Sequence, residues 1–394
     1  MSGGILDADE TSTVSGALTQ TADITIDVAT GKTLSYTGAA INLGAKTLTL
    51  SGGGTLGNTN ALVLNNANSK LLLNSITLSS ASTSADSLGL DVNADSTVTA
   101  LSIGHITPIS IATGKSLSGA IAVTAGSLKL NETGTLASTV TMSGGTLDAD
   151  ETLTVSGALS HSADIAIDVA TGKTLTYSGT AIGVGANTIT LSGGGSIISG
   201  GLTLNNANSK LLLNSITLDS ASTSANSLGL DVDGNSTVTA LSVGHITPVS
   251  IAAGKSLSGA IAVTAGSIKL DETGTLASTV AMSGGILDAD ETSTVSGALI
   301  QTADITIDVA TGKTLTYTGA AVNLGGKTLT LSGGGTLGNT NALLLNNADS
   351  KLLLNSITVG SASTSANSLG LDVDANSTVT ALSVGHITPV SITA

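Results

Sequence analysis

Three nearly identical copies of one long unit fill this 394-residue chain, and the repetition limits the folds it can adopt. The copies are residues 1–141, 142–281 and 282–394, which begin MSGGILDADE, MSGGTLDADE and MSGGILDADE. Since a tandem repeat buries its apolar surface by stacking on its neighbours, all three copies are expected to fold alike and to pack in series.

A shorter motif, seven positions long, recurs inside each copy. It begins and ends on an apolar residue, with Thr or Ser just before the second one, as in VATGKTL (28–34), LSGGGTL (50–56) and IATGKSL (111–117). Nineteen complete motifs occur, and every one carries the Thr or Ser. The last position is apolar in all but two motifs, which end in Ser12 and Ser293. Successive motifs start about 17–22 residues apart, and periods of this length are typical of solenoids.

Around each motif, apolar and polar residues alternate with a period of two. Examples are ITIDV (24–28), LTL (48–50) and LGLDV (88–92), which are rich in branched side chains and therefore indicate β-strands. Gly, Asn, Asp and Ser separate these segments, as in SGGG (51–54), and these are turn residues. No stretch has a helical period with caps. The sequence therefore predicts an all-β fold.

We predict a single-stranded parallel β-solenoid (β-helix) of about 20 coils of 17–22 residues, continuous over residues 1–394. The crossover rule favours a right-handed solenoid. With strands about 4.8 Å apart, the coils would build a rod of about 95 Å. Leu, Ile, Val and Ala would fill a narrow core, which suits a chain without Phe or Trp. The Thr or Ser before each inward apolar residue would point outward.

Composition excludes several classes of partner and site. The net charge is −15 and all 12 basic residues are Lys, so nucleic acid, which favours Arg, aromatic stacking and positive charge, is not an expected partner. The absence of Cys rules out disulfides and thiolate metal sites, and fits a secreted bacterial protein. No apolar run is long enough to span a bilayer, so we expect no membrane span.

Segments such as SGGTLDADETLTVSGAL (143–159) and KTLTLSGGGTLGNTNALVL (46–64) resemble the Gly/Thr/Leu coils of bacterial autotransporter passengers and large surface adhesins. The resemblance extends over essentially the whole chain, and it is one of composition and rhythm without a catalytic motif. It implies an extracellular or cell-surface location, a filamentous, stalk-like or adhesive role, and host-surface or matrix glycans as partners.

Carboxylates gather in the turns of adjacent coils at two places. The two groups are Glu132, Asp148, Asp150 and Glu151, and then Asp271, Glu272, Asp288, Asp290 and Glu291. Oxygen ligands suit Ca²⁺, a hard cation, and make these residues candidate calcium ligands. The alternative is that they are solvated turn residues, since the glycine-rich calcium repeat GGxGxDxUx is absent. The sequence indicates no other cofactor.

Other conspicuous residues have structural interpretations. Aligning the motifs places an acidic residue one coil away from a lysine in every copy, as Glu10–Lys32, Glu151–Lys173 and Glu291–Lys313. The GKT and GKS triplets lack the earlier glycine of a phosphate-binding loop and are predicted to be turns. The three GHITP segments contain His105, His245, His386 and the only prolines, and indicate a turn or an irregular sheet edge.

The function we predict from these observations is structural, as an extracellular stalk, fibre or adhesin segment. The chain stops within the pattern of its third copy, so we expect it to belong to a longer array or to associate with itself, end to end or laterally in a filament. One alternative is a rod that binds ice or polysaccharide through the outward Thr/Ser column. A second is a carbohydrate-active β-helix enzyme, but no catalytic residue can be assigned.

Overall fold

The computed structural model describes residues 1–393, and every regular element within them is a β-strand. The strands pair in parallel, coil upon coil, in a β-solenoid of about 19 turns, which confirms the predicted fold class. The chain divides into two compact units, residues 1–182 with 189–200, and residues 183–188 with 201 onward. A single continuous domain over residues 1–394 stays a prediction.

The strands up to residue 200 are β1 (Ile5–Ala8), β2 (Ser12–Val14), β3 (Ile24–Val28), β4 (Thr33–Tyr36), β5 (Ile41–Asn42), β6 (Thr47–Ser51), β7 (Thr55–Asn58), β8 (Leu62–Leu64), β9 (Lys70–Leu73), β10 (Thr77–Thr83), β11 (Gly89–Val92), β12 (Ser96–Ile103), β13 (Thr107–Ile111), β14 (Ser116–Val123), β15 (Ser127–Leu130), β16 (Thr135–Leu136), β17 (Thr139–Met142), β18 (Thr146–Ala149), β19 (Leu153–Val155), β20 (Leu159–His161), β21 (Ile165–Val169), β22 (Thr174–Tyr177), β23 (Ile182–Gly183), β24 (Thr188–Ser192) and β25 (Ser196–Ile198).

The strands from residue 201 are β26 (Leu202–Leu204), β27 (Lys210–Leu213), β28 (Thr217–Thr223), β29 (Gly229–Val232), β30 (Ser236–Val243), β31 (Ile246–Ile251), β32 (Ser256–Val263), β33 (Ser267–Leu270), β34 (Thr275–Leu276), β35 (Thr279–Met282), β36 (Ile286–Ala289), β37 (Ser293–Val295), β38 (Leu299–Gln301), β39 (Ile305–Val309), β40 (Thr314–Tyr317), β41 (Val322–Asn323), β42 (Thr328–Ser332), β43 (Thr336–Asn339), β44 (Leu343–Leu345), β45 (Lys351–Leu354), β46 (Thr358–Thr364), β47 (Gly370–Val373), β48 (Thr378–Val384) and β49 (Val390–Ile392).

Each coil contributes one strand to a first sheet and one or two strands to a second sheet, and their inward side chains fill the core. The first sheet contains strands β1, β3, β6, β9, β11, β13, β15, β18, β21, β24, β27, β29, β31, β33, β36, β39, β42, β45, β47 and β49. Strand β3 shows the rule, since Ile24, Ile26 and Val28 are buried while the residues between them face outward. Stacking then buries the apolar column that no single coil could bury alone.

The register between coils differs from the motif alignment at several steps, although the fold class is as predicted. Leu136 was expected to face Leu153, but it pairs with Val155, two positions further along the chain. In the same way Ile26, rather than Val28, pairs with Leu50. A shift of two residues leaves every inward side chain inward, so the alternation in the sequence cannot distinguish the two registers.

Within KLLL (70–73) the motif starts one residue later than the alignment placed it. Leu71 and Leu73 are buried, whereas Leu72, which the motif treats as inward, faces outward. The pairing of Leu50 with Leu73 sets this register. Three consecutive leucines fit either face, so only the pairing with the neighbouring coil decides which of them enter the core.

The three tyrosines are the only aromatic residues of the chain, and all of them are buried. The Tyr36 hydroxyl accepts a hydrogen bond from the Leu18 N–H at 3.0 Å and donates to the Ala39 carbonyl at 2.8 Å. Tyr317 makes the same two bonds, with Leu299 and Ala320. Each ring therefore fills the narrow core, while its hydroxyl satisfies backbone groups that a Phe would leave unpaired.

Two of the prolines lie inside strands, whereas the sequence indicated a turn or an irregular sheet edge. Pro108 and Pro248 lie inside β13 and β31, and the pairing of β11 with β13 starts only at Leu90–Ile109, one residue after the proline. Gly89, one coil earlier, has φ +80°, and a Cβ there would lie 1.8 Å from the Pro108 carbonyl oxygen. The proline is accommodated because the facing residue has no side chain.

Candidate functional site

Charge is divided unequally between the two sheets. The lysine–carboxylate pairs lie on the first sheet and in the turns that follow it, for example Lys70–Asp91 and Lys129–Asp148. Among the strands of the second sheet within residues 1–393, Asp219 is the only Asp, Glu or Lys. Each of the two units therefore has a charged face and a nearly uncharged one, and both kinds of face are candidate sites.

The predicted cross-coil pairs on the charged face are confirmed. The nitrogen–oxygen distances are 2.5, 2.6 and 2.6 Å for Lys32–Glu10, Lys173–Glu151 and Lys313–Glu291. Each lysine follows the glycine of a GK turn, whose closing bond runs from the Lys32 N–H to the Ala29 carbonyl at 2.9 Å in the first copy. The GK triplets of Lys32, Lys173 and Lys313 are thus turns that join neighbouring coils through charge, and each exposed pair stabilises by about 0.2–1 kcal/mol.

A second set of pairs, which the motif alignment does not predict, joins coils in every copy. It consists of Lys70–Asp91, Lys210–Asp231 at 2.6 Å and Lys351–Asp372 at 2.7 Å. The hydrogen bond to Lys351 holds the pKa of Asp372 below its usual value. The spacing between lysine and aspartate is the same in all three copies, and this constancy was the signal that could have revealed the pairs.

Lysines lie among the candidate calcium ligands. The Lys129 ammonium is 3.1 Å from Asp148 and 2.7 Å from Asp150, and Lys269 contacts Asp288 and Asp290 in the same way. Six of the nine candidates therefore pair with a lysine, once Glu151 and Glu291 are included.

The other three candidates do not complete a metal site in the described chain. Glu132 and Glu272 are exposed in turns, and Asp271 accepts a hydrogen bond from the Ser250 hydroxyl at 2.6 Å. Within residues 1–393, no three acidic or histidine side chains converge as metal ligands would. Calcium binding stays a prediction, and a change in melting temperature at millimolar Ca²⁺ would test it.

Asp148 and Asp288 occupy equivalent half-buried positions on the charged face. Burial raises the pKa of each above its usual value, and the lysine beside each opposes the shift. Asp168 and Asp308 sit directly opposite them on the next coil, and their like charge raises the two pKa values further. The carboxyl groups therefore bind a proton more tightly in the folded than in the unfolded chain.

These shifts predict how stability depends on pH. Because the folded-state pKa is above the unfolded one, the contribution of Asp148 and Asp288 is greatest at low pH and is lost as pH rises from about 4 through the raised pKa. We expect Asp288→Asn to gain stability relative to the wild type as pH rises from 4 to 7. Melting temperatures measured at intervals across that range would show it, with Asp349→Asn as the control, since this exposed turn residue is Asn68 and Asn208 in the other copies. A constant difference at all pH values would contradict the assignment.

The Thr/Ser column points outward as predicted, but it is not a continuous flat rank. Thr33, Thr55 and Thr77 are half-buried and stand opposite one another on successive coils. Further on, Thr97 pairs with Ser118, so the column moves by two residues, and the two hydroxyl oxygens are 2.7 Å apart. Some hydroxyls of the column, such as those of Thr97 and Ser118, are thus hydrogen-bonded to each other.

A polar groove of about 250 Å³ lies along this part of the column. Thr77, Thr97, Ser116 and Ser118 line it together with Asp95, which accepts a hydrogen bond from the Ser116 N–H at 2.8 Å. Hydroxyl groups and one carboxylate offer hydrogen bonds to a polar ligand such as a sugar, but no aromatic ring is present for stacking.

The uncharged face lies on the longest strands of the second sheet. In the first unit its exposed residues are Ala100, Ser102, Ala120, Ala122, Thr139 and Thr141. They form two outward ranks, since Ala120 stands opposite Thr139 and Ala122 opposite Thr141. The second unit has the same face, at Ala240, Ser242, Ala260, Ala262, Thr279 and Ala281. Between the small side chains of the first unit lies a trough of about 320 Å³.

The histidines do not form a cluster. His105 Nδ1 lies 3.8 Å from Asp86, and in the other two copies Asn226 and Asn367 take the place of that aspartate.

Among residues 1–393 there is no long apolar helix of the kind that crosses a lipid bilayer. No protein-family model, no curated protein and no solved structure matches this chain.

Proposed function

We propose that the chain is a structural segment of an extracellular, cell-surface β-solenoid, a stalk, fibre or adhesin segment that supplies length and resistance to unfolding. The observation that supports this is that the repeated polar side chains bond one coil to the next. The lysine–glutamate pairs do so in every copy, and so do hydrogen bonds from serine to aspartate, which join Ser51 to Asp27, Ser192 to Asp168 and Ser332 to Asp308. The proposal includes no enzymatic activity and no resident cofactor.

The proposed partner is another molecule of this chain, joined end to end by parallel strand pairing. Within the described strands each coil pairs in parallel with its neighbour, as Leu241 does with Ile261, and these two residues are 1% and 2% exposed. A coil of a second molecule stacked in the same way would continue this pairing.

Proteolysis tests the structural role. All basic residues are lysines, so trypsin can cut only after those 12 positions, and in every GK turn of the form ATGK or AAGK the backbone is held by a closing hydrogen bond. We expect the native protein to survive a digestion that fully cleaves the urea-unfolded chain, since cleavage needs local opening. Rapid cutting of the native protein at many lysines would contradict a role in resistance.

The location is tested separately, in the organism that makes the protein. Protease added to intact cells should remove an epitope tag placed in an exposed turn, such as the one at Gly114, where an added side chain meets open space. A cytoplasmic marker protein serves as the control. A tag that is lost only after lysis would contradict the extracellular assignment.

A second candidate function is binding of host-surface or matrix glycans, or of ice. The hydroxyl-lined groove beside Thr77 and Thr97 favours it. Retention on insoluble polysaccharides, and thermal hysteresis for ice, would support this function. A Thr97→Val variant that binds as well as the wild type would show that the groove is not the site.

A further inference from the structure

The charges decide where two molecules of this protein can approach each other. Each molecule carries a net charge of −15, and the carboxylates, apart from Asp219 on β28, lie on the first sheet and in the turns beside it. Contact between two charged faces would bring like charges together, a cost that salt reduces by screening. The uncharged face avoids this cost, because its strands β12, β14 and β17 carry no ionisable side chain.

The shape of the uncharged face permits a close approach. Its exposed side chains are Ala, Ser and Thr, which extend one or two heavy atoms from the backbone, so that another sheet could pack within about 10 Å. The buried residues Leu101 and Ile121 form the floor of the trough of about 320 Å³. A partner that enters the trough would lie directly above them. Contact here would remove apolar surface from water and would bury no charge.

We propose that a second copy of the chain packs laterally against the uncharged face, uncharged face to uncharged face. The trough runs over five coils, from Ala61 to Thr141. A patch of that height and about 20 Å of strand would bury about 1,000 Å² in total, the lower end for a specific interface. The pairing is therefore weak for one patch, depends on concentration, and strengthens with salt. The inference builds on the proposed structural role, to which it adds the side-by-side contact of a fibre.

Sedimentation velocity on the full chain tests the proposal. The wild type should rise from a mass of 38.0 kDa toward twice that value as concentration increases, and more so in about 0.5 M than in about 0.05 M NaCl. The double variant Ala122→Glu with Ala262→Glu places a carboxylate on the face of each unit and should weaken association at least tenfold. Thr113→Glu with Ala253→Glu adds the same charge in exposed turns and should associate like the wild type.

Each other result overturns the lateral contact. A wild type that stays at 38.0 kDa at every concentration and salt overturns it, as does equal association of the face variant and the turn variant. If the wild type is monomeric and binds glycan or ice, and the Ala122→Glu, Ala262→Glu variant does not bind, the uncharged face binds that ligand and not a second copy of the chain. A chain that stays monomeric but resists trypsin loses the lateral contact and keeps the structural role, whereas a trypsin-sensitive chain loses that role. Circular dichroism and unchanged melting temperatures confirm that both variants fold.

Discussion

Replacing Gly229 with alanine should destabilise the protein by about 3–5 kcal/mol, whereas the same change at Gly254 should cost about 1–2 kcal/mol. Both glycines have positive φ, +82° and +71°, so both substitutions carry the left-handed penalty. They differ in space, because a Cβ at Gly229 would lie 1.9 Å from the Pro248 carbonyl oxygen, while nothing lies within 4 Å at Gly254. A clash with backbone cannot be relieved by rotating a side chain, so the coils themselves must move apart.

Melting temperatures and hydrogen exchange of both variants measure this difference. The loss of protection in Gly229→Ala should centre on β29 and β31, the strands that the glycine and the proline bring together. Gly89→Ala should repeat the effect in the first copy, since its Cβ would lie 1.8 Å from Pro108 O. Equal losses at Gly229 and Gly254 would show that backbone conformation alone, and not the proline, requires the glycine.

Removing the hydroxyl of Tyr317 should cost about 1–3 kcal/mol, although the ring stays in place. In Tyr317→Phe the Leu299 N–H loses its acceptor at 3.1 Å and the Ala320 carbonyl loses its donor at 2.7 Å. Water cannot replace either hydrogen bond, because Tyr317 is only 3% exposed. Thr316→Val, which removes the outward hydroxyl one residue earlier, is the control and should change stability by less than about 0.5 kcal/mol.

The same variant should alter the response to alkali. Burial raises the pKa of Tyr317 above its usual value of 10.0. A raised phenol pKa stabilises the fold below pH 10 and loses that contribution as pH rises through the folded-state value, so the wild type should weaken above pH 10. Tyr317→Phe should lose less stability than the wild type between pH 10 and 11. Identical alkaline profiles would contradict the coupling.

Several cross-coil contacts follow from the sequence because they depend only on one coil lying on the next. The Glu10–Lys32 pair is of this kind, since both residues occupy turns that the motif aligns directly. The position of Lys129 between Asp148 and Asp150 does not follow from the sequence. The strand of Lys129 pairs two residues away from the motif alignment, so that Leu130 lies opposite Ala149. The carboxylates that the sequence offered to a cation therefore meet an ammonium group of the protein itself.

The hydroxyl column shows the same division. That Thr97 faces outward is fixed by the buried Val98 that follows it. That it meets Ser118 rather than Ser116 depends on the pairing of β12 with β14, which at Thr97 lies two residues away from the motif alignment. This local shift, which the motif does not contain, interrupts the flat rank that binding to ice would require.

The sequence by itself determined the β-solenoid, the inward or outward orientation of most side chains, and the lysine–glutamate pairs of adjacent turns. The physical reason is that an alternation of period two, repeated about every 20 residues, can bury its apolar side only by stacking parallel coils. The tertiary structure alone decided which of two equivalent registers each coil takes, which backbone groups the tyrosine hydroxyls satisfy, and which face remains uncharged. Shifts of two residues leave the core pattern unchanged, so turn geometry and contacts with the neighbouring coil select among them.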